Sequence, residues 1–221
     1  MSIVFSSSQT GEHEIYEMDL DGNQVRLTSM GELYAPEISP DGQSIVFTNA
    51  GGTYSSIWVM DRNGNNPREV YRGKEVDVLD PTWSPDGEKI LFAMGSEDKK
   101  KLYVINKDGS NLKVVNENFA TRGRSDWSWG GNLIAGYSGD SWERKIYLMN
   151  SDGSNLIELY SSGNVLAPSF SPDDNWVVFT GYIDNMRNDN GCEIYILRTN
   201  GEDLRRLTDN AYCDWQPRWG S

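Results

Sequence analysis

Histidine is nearly absent from this chain: His13 alone in 221 residues. One imidazole cannot build a three-histidine metal site or supply separate acid and base histidines. It stands in Gly11-Glu12-His13-Glu14, which reads as a polar loop with a solvated side chain. Long apolar runs are missing too. None approaches the ~20 residues of a membrane helix, so no membrane insertion is expected. Met1-Ser2 leads straight into an apolar strand, so no signal peptide is expected within these residues, which fits either a cytosolic chain or one whose leader and neighbouring domains have been removed. Basic residues are outnumbered, 20 against 33 acids, for a net charge of −13. That balance disfavours nucleic acid and anionic membrane surfaces. It suits solubility, and it leaves room for a cationic peptide or a metal ion. Cysteine is limited to Cys192 and Cys213. At this length the core needs no staple.

What is abundant is repetition. A Pro-x-(aromatic or aliphatic) step occurs at Pro36-Glu37-Ile38, Pro81-Thr82-Trp83, Pro168-Ser169-Phe170 and Pro217-Arg218-Trp219, with a degenerate copy at Ser125-Asp126-Trp127. Successive starts lie 45, 44, 43 and 49 residues apart. Apolar strands follow at Ile45-Val46-Phe47, Ile90-Leu91-Phe92, Ile134-Ala135-Gly136 and Val177-Val178-Phe179, and a further copy, Ile3-Val4-Phe5, opens the chain. Next come Ile15-Tyr16, Ile57-Trp58, Leu102-Tyr103, Ile146-Tyr147 and Ile194-Tyr195, each followed by Asp-Gly or Asn-Gly. A period in the forties marks a propeller blade or an array. Asn-Gly and Asp-Gly predict type I′ hairpin turns. Ser39-Pro40-Asp41-Gly42 and Ser84-Pro85-Asp86-Gly87 predict a second tight turn. Each repeat thus encodes four short strands in a meander. The strands are apolar at successive positions, as sheets covered on both faces are.

The register of the two ends predicts closure. Ile3-Val4-Phe5 is a second strand and Pro217-Arg218-Trp219 a first strand, so the two are expected to pair in one sheet. The expected fold is all-β: a single domain over residues 1–221, a five-bladed β-propeller of four-stranded antiparallel blades. The repeats run over about 36–80, 81–124, 125–167, 168–216, and 217–221 plus 1–35. Ile38, Trp83, Trp127, Phe170 and Trp219 share one repeat position and are expected in the core between blades. Cys192 and Cys213 lie in two connections that emerge at the same end of the last blade, which permits a disulfide.

The segment Pro81 to Phe92 reads Pro-x-Trp-Ser-Pro-Asp-Gly-x-x-Ile-x-Phe, and Ile146 to Gly153 and Leu207-Thr208 complete the pattern. It resembles the TolB-type β-propeller repeat, a WD40-like family. Neither a Trp-Asp nor a Gly-His dipeptide is present, which sets WD40 proper aside. The resemblance covers nearly the whole chain, implies the propeller fold and leans toward an extracytoplasmic setting. TolB itself is expected to have six blades and a separate N-terminal domain. Five repeats without that domain do not imply a TolA- or Pal-like role.

Catalytic chemistry is poorly supplied. No Gly-x-Ser-x-Gly elbow holds a serine nucleophile, and the Ser-Pro-Asp-Gly serines are turn residues. Asp19-Leu20-Asp21-Gly22 is a hairpin turn in register with four others and not a calcium loop. TolB-like lyases rely on histidine and metal clusters that this sequence lacks, and the gating propellers of prolyl oligopeptidases carry no chemistry themselves. The expected function is therefore a non-catalytic binding or scaffold module presenting a ligand or protein-interaction face around the propeller axis. The alternative is a carbohydrate-active or peptide-processing enzyme with an unrecognised site. The variable loops, those after the second strands and those before Pro-x-Trp, should share one face. They carry Tyr34, Asp80, Arg124, Asp126, Trp142, Tyr182, Asp214, Trp215 and the adjoining Arg218, plus the insertion at 184–190. Asp80, Asp126 and Asp214 are expected to aim toward one axis, offset by Arg124 or Arg218, by water or by a cation such as Ca²⁺. No other cofactor is implied. The expected partner of a monomeric chain is a protein or peptide, with a basic peptide favoured by those acids.

Overall fold

The computed structural model describes residues 2–96, 100–183, 191–210 and 212–219. Every named element in it is a β-strand. The chain divides into two compact units, Met1–Glu97 with Leu102–Val114 and Asp98–Lys101 with Val115–Ser221. In the first, β1 (Ser2–Ser7), β2 (Glu14–Asp19) and β3 (Gln24–Arg26) form one antiparallel sheet. β4 (Leu33–Ile38), β5 (Ser44–Asn49), β6 (Ser56–Asp61) and β7 (Arg68–Arg72) form the next. The third holds β8 (Asp77–Trp83), β9 (Lys89–Gly95), β10 (Lys101–Asn106) and β11 (Lys113–Val114). The second unit holds β12 (Asp126–Trp127), β13 (Leu133–Ser138), β14 (Lys145–Asn150) and β15 (Ile157–Tyr160) in one sheet. Its other sheet is β16 (Asn164–Phe170), β17 (Trp176–Tyr182), β18 (Glu193–Arg198) and β19 (Arg205–Arg206). Each sheet is a meander in sequence order, the all-β architecture of a five-bladed propeller.

The core lies between neighbouring sheets within each unit. Phe47, Phe92, Phe170 and Phe179 are fully buried, and all seven positions of β16 are buried. Trp83, Trp127 and Phe170 sit in the core as expected of their shared repeat position, whereas Ile38 at that position is half-buried. Trp83 is also tied across sheets: its backbone N–H donates to Glu37 Oε1 at 3.1 Å and its indole N–H to Glu37 O at 3.2 Å.

Local geometry departs from expectation in three places. First, the Asp-Gly and Asn-Gly turns are not type I′. Glycine alone has positive φ there, as at Gly22 (86°) and Gly153 (83°). Gly22 N–H donates to Asp19 O, and Asp19 N–H to Asn23 O. This is a type I turn followed by a left-handed glycine, which gives a three-residue hairpin loop. Second, β1 has a ladder partner on one side only, and residues 213–219 form no strand. The expected pairing of Ile3-Val4-Phe5 with Pro217-Arg218-Trp219 is absent among the described residues. The segment is short and Pro217 has no N–H to give to a ladder. With no strand to hold it, Trp219 is 37% exposed, contrary to its expected core position. Third, the first strands are bulged. Register shifts in β4, β8 and β16 coincide with positive φ at Ala35, Asp80 and Ala167, each preceding a proline. Gln216 before Pro217 has the same backbone, with φ 47°.

Candidate functional site

Three segments far apart in sequence meet in the second unit. The β13–β14 loop brings Trp142, the end of β17 brings Tyr182, and the segment after β19 brings Trp215. The Tyr182 ring stands edge-on between the two indoles, 5.3 Å from Trp142 and 6.2 Å from Trp215. Such tilted pairs are a favoured aromatic geometry. Beneath them Leu166 and Cys192 form an apolar floor with Tyr182, against which Trp142 and Cys213 pack. Cys192 and Cys213 form a disulfide with Cα atoms 4.5 Å apart, and the Tyr182 hydroxyl lies 3.6 Å from Cys213 Sγ. The bridge fixes the segment that carries Trp215 to the start of β18.

These groups wall a pocket of about 350 Å³, lined by Ser141, Trp142, Arg144, Asn164, Leu166, Tyr182 and Trp215. That volume lies within the range of small-ligand sites. Trp215 is 57% exposed at the rim, whereas Asn164 is only 3% exposed. Among the described residues, Asn164 Oδ1 and Arg144 Nε are buried atoms with no hydrogen-bond partner. Buried polar atoms are nearly always satisfied, so two in one small pocket are notable. The lining holds no carboxylate and one guanidinium, which favours an anionic group on a guest.

Of the sequence-derived site residues, Trp142, Tyr182 and Trp215 are thus brought together. The others have local roles. Tyr34 donates to Glu32 and lies 3.1 Å from His13 Nδ1, with the two rings 4.7 Å apart. His13 is accordingly half-buried against Tyr34 and not a freely solvated loop side chain. Asp80 occupies the β8 bulge. Asp126 is buried: it accepts from Phe170 N–H at 2.9 Å and faces Arg218 at 3.5 Å. Asp126 therefore joins β12 to β16, as Glu37 joins β4 to β8. Asp214 accepts from Asn210 Nδ2 at 2.8 Å. Arg124 is half-buried just before β12. The insertion at 184–190 lies outside the described residues. Arg144, Asn164, Leu166 and Ser141 escaped the sequence reading. Neither Asn164 nor Arg144 belongs to a repeat motif, although both fall at fixed repeat positions that could have been compared.

Comparison with known proteins follows the same lines. The family model described as the TolB beta propeller domain matches residues 36–165, more than half of the chain. A protein TolB homolog of Chlorobium chlorochromatii is 33% identical over 84 residues, which is 37% of this chain and 18% of that protein. The crystal structure of TolB from Acinetobacter baumannii superposes with a TM-score of 0.83 at 23% identity, covering 98% of this chain and 54% of the other. The chain therefore spans about half the length of that TolB. An oligogalacturonate lyase structure with manganese gives a TM-score of 0.67 at 15% identity, covering 94% of this chain and 62% of the lyase. Both structural likenesses speak to fold alone. Repeat, topology and family match agree: the chain belongs to the TolB beta propeller domain family.

Proposed function

We propose that the chain is a non-catalytic binding module that takes up a protein or peptide segment in the pocket of Trp142, Tyr182 and Trp215. The carrying observation is the convergence of three aromatics from separate loops around a small pocket whose rim indole stays exposed. Rigid aromatic anchors of this kind supply contact area at low entropic cost and dominate many recognition surfaces. TolB relatives that share the repeat in sequence support a protein-binding scaffold role.

A catalytic reading draws on the likeness to a lyase. Against it, the pocket lining contains no histidine, cysteine or carboxylate beside Ser141 to act as a general base.

The test is selection of displayed peptides on the whole chain, followed by titration of the enriched sequences. Binding should fall at least tenfold in Trp142→Ala/Trp215→Ala while the melting temperature stays within a few degrees. Peptides that bind the double variant as tightly as the parent would move the site elsewhere. Turnover of a bound peptide or oligosaccharide would favour the enzyme.

A further inference from the structure

The repeat offers an internal comparison that singles out one pair of side chains. In each repeat, the residue just before the third strand faces the residue four positions before the next Pro-x-Trp step or its degenerate copy. Ser55 and Asp77 are one such pair. Ser55 N–H and Oγ–H donate to Asp77 Oδ1 at 3.1 and 3.2 Å, and Val78 N–H donates to Ser55 Oγ at 2.8 Å. Cys192 and Cys213 are another, closed covalently, with Asp214 N–H donating to Cys192 O at 2.9 Å. Lys100 and Thr121 form a backbone β-bridge. Arg144 and Asn164 hold the same two positions. Their backbones are joined as elsewhere, Val165 N–H donating to Arg144 O at 3.2 Å. Their side chains are not: Arg144 Nε and Asn164 Oδ1 are both buried and without a partner among the described residues.

Sequence could have closed this pair through its side chains, as it closed Ser55–Asp77 and Cys192–Cys213. Instead it places a charged donor and a neutral acceptor in one pocket and leaves both open beneath an aromatic rim. An unmade hydrogen bond to a buried group destabilises the empty protein, and that cost is recovered when a guest supplies the missing partners. A guanidinium selects a planar anionic acceptor, above all a carboxylate. An amide oxygen selects an N–H donor. Leu166 and the Trp142, Tyr182 and Trp215 rings select an apolar side chain between the two.

We propose, building on the binding-module function above, that this pocket captures the free C-terminus of a peptide. The terminal carboxylate meets Arg144, the last backbone N–H meets Asn164 Oδ1, and an apolar or aromatic last side chain fills the aromatic walls. The Ser55–Asp77 pair shows what the same position looks like when its hydrogen bonds are internal and no guest is needed.

The experiment is calorimetric titration of the whole chain with Ac-Gly-Gly-X peptides, X being Leu, Met, Phe, Tyr or Trp. Each is used as the free acid and as the C-terminal amide, with glucuronic acid as a non-peptide carboxylate. At least one free acid should bind ten times or more tightly than its amide and than glucuronic acid. Arg144→Gln should erase the acid–amide difference. Asn164→Leu should weaken the acid at least tenfold yet leave the melting temperature unchanged or higher, because it removes an unsatisfied buried oxygen. A clear drop in melting temperature for Asn164→Leu would show that the amide is structurally satisfied and would overturn the assignment. Equal binding of acid and amide, both lost in Trp142→Ala, would also overturn it while keeping the pocket as a binding site. Tighter binding of glucuronic acid would reassign the pocket to an acidic sugar. No binding of any peptide would overturn the C-terminus proposal, leaving the displayed-peptide selection to decide the binding function separately.

Discussion

The hairpin glycines isolate what one Cβ costs in two settings. Gly22 and Gly153 hold the same repeat position with φ of 86° and 83°. A Cβ at Gly22 would meet nothing within 4 Å, whereas one at Gly153 would run into the Val115 carbonyl oxygen. Gly22→Ala should therefore cost about 1–2 kcal/mol, the ordinary left-handed penalty. Gly153→Ala should cost that amount plus about 1–3 kcal/mol of overpacking, because a backbone carbonyl yields less than a flexible side chain. Urea unfolding of the two variants checks this, and equal losses would mean the neighbouring chain gives way freely. At this scale the sequence marked the glycines correctly but not the turn. Asp-Gly is compatible with a type I′ turn and with a type I turn plus left-handed glycine, and only the loop length of the hairpin separates them.

At the scale of the strand, two buried glutamates fasten outer strands to their sheets. Glu14, at the start of β2, accepts from Arg26, Thr28, Met30 N–H and Gly31 N–H. Glu193, at the start of β18, repeats this with Arg206, Thr208 and Asn210 N–H. Burial pushes both carboxyls up, but these hydrogen bonds outweigh it and hold both below the usual 4.5. A carboxyl lowered in the folded state adds stability above its unfolded pKa and loses it as pH falls through the folded one. Glu14→Gln should thus destabilise by about 1–3 kcal/mol at neutral pH, since donors aimed at a carboxylate lose an acceptor. The gap to wild type should narrow as pH is taken below about 4.5, the ordinary glutamate value. A difference independent of pH would show that packing, not charge, makes the clasp. Legibility divides on the same physics. Strands and turns are encoded locally, in apolar pairs and Asp-Gly punctuation, and they recur five times, so noise averages out. Asp126 read as an axial acid because inner-strand position alone suggested a direction. In the structure its carboxylate accepts from the Phe170 N–H, a contact with a residue 44 positions away that nothing local announces.

Over the whole molecule, one pair of positions is reused with different chemistry: hydrogen-bonded in Ser55–Asp77, covalent in Cys192–Cys213 and open in Arg144–Asn164. The aromatic half of the pocket was legible, since Trp142, Tyr182 and Trp215 stand out in variable loops. The polar half was not, because Arg144 and Asn164 are ordinary residues until their repeat equivalents are set beside them. The covalent pair should support the open one. Cys192 packs with the pocket residues Leu166 and Tyr182, Cys213 packs against that cluster, and Trp215 follows two residues later. The bridge closes a loop of 21 residues, for which chain-entropy arguments give about 3 kcal/mol. Cys192→Ser/Cys213→Ser, or reduction of the wild-type chain, should therefore lower unfolding stability by about that amount. It should also weaken pocket binding, because Trp215 would have to be ordered by the guest instead of beforehand. Urea unfolding and peptide titration with and without dithiothreitol measure both effects. A reduced chain as stable as the oxidised one would mean that packing of Tyr182 and Leu166 alone fixes this segment. Lost stability with unchanged affinity would mean that the bridge serves the fold and not the pocket.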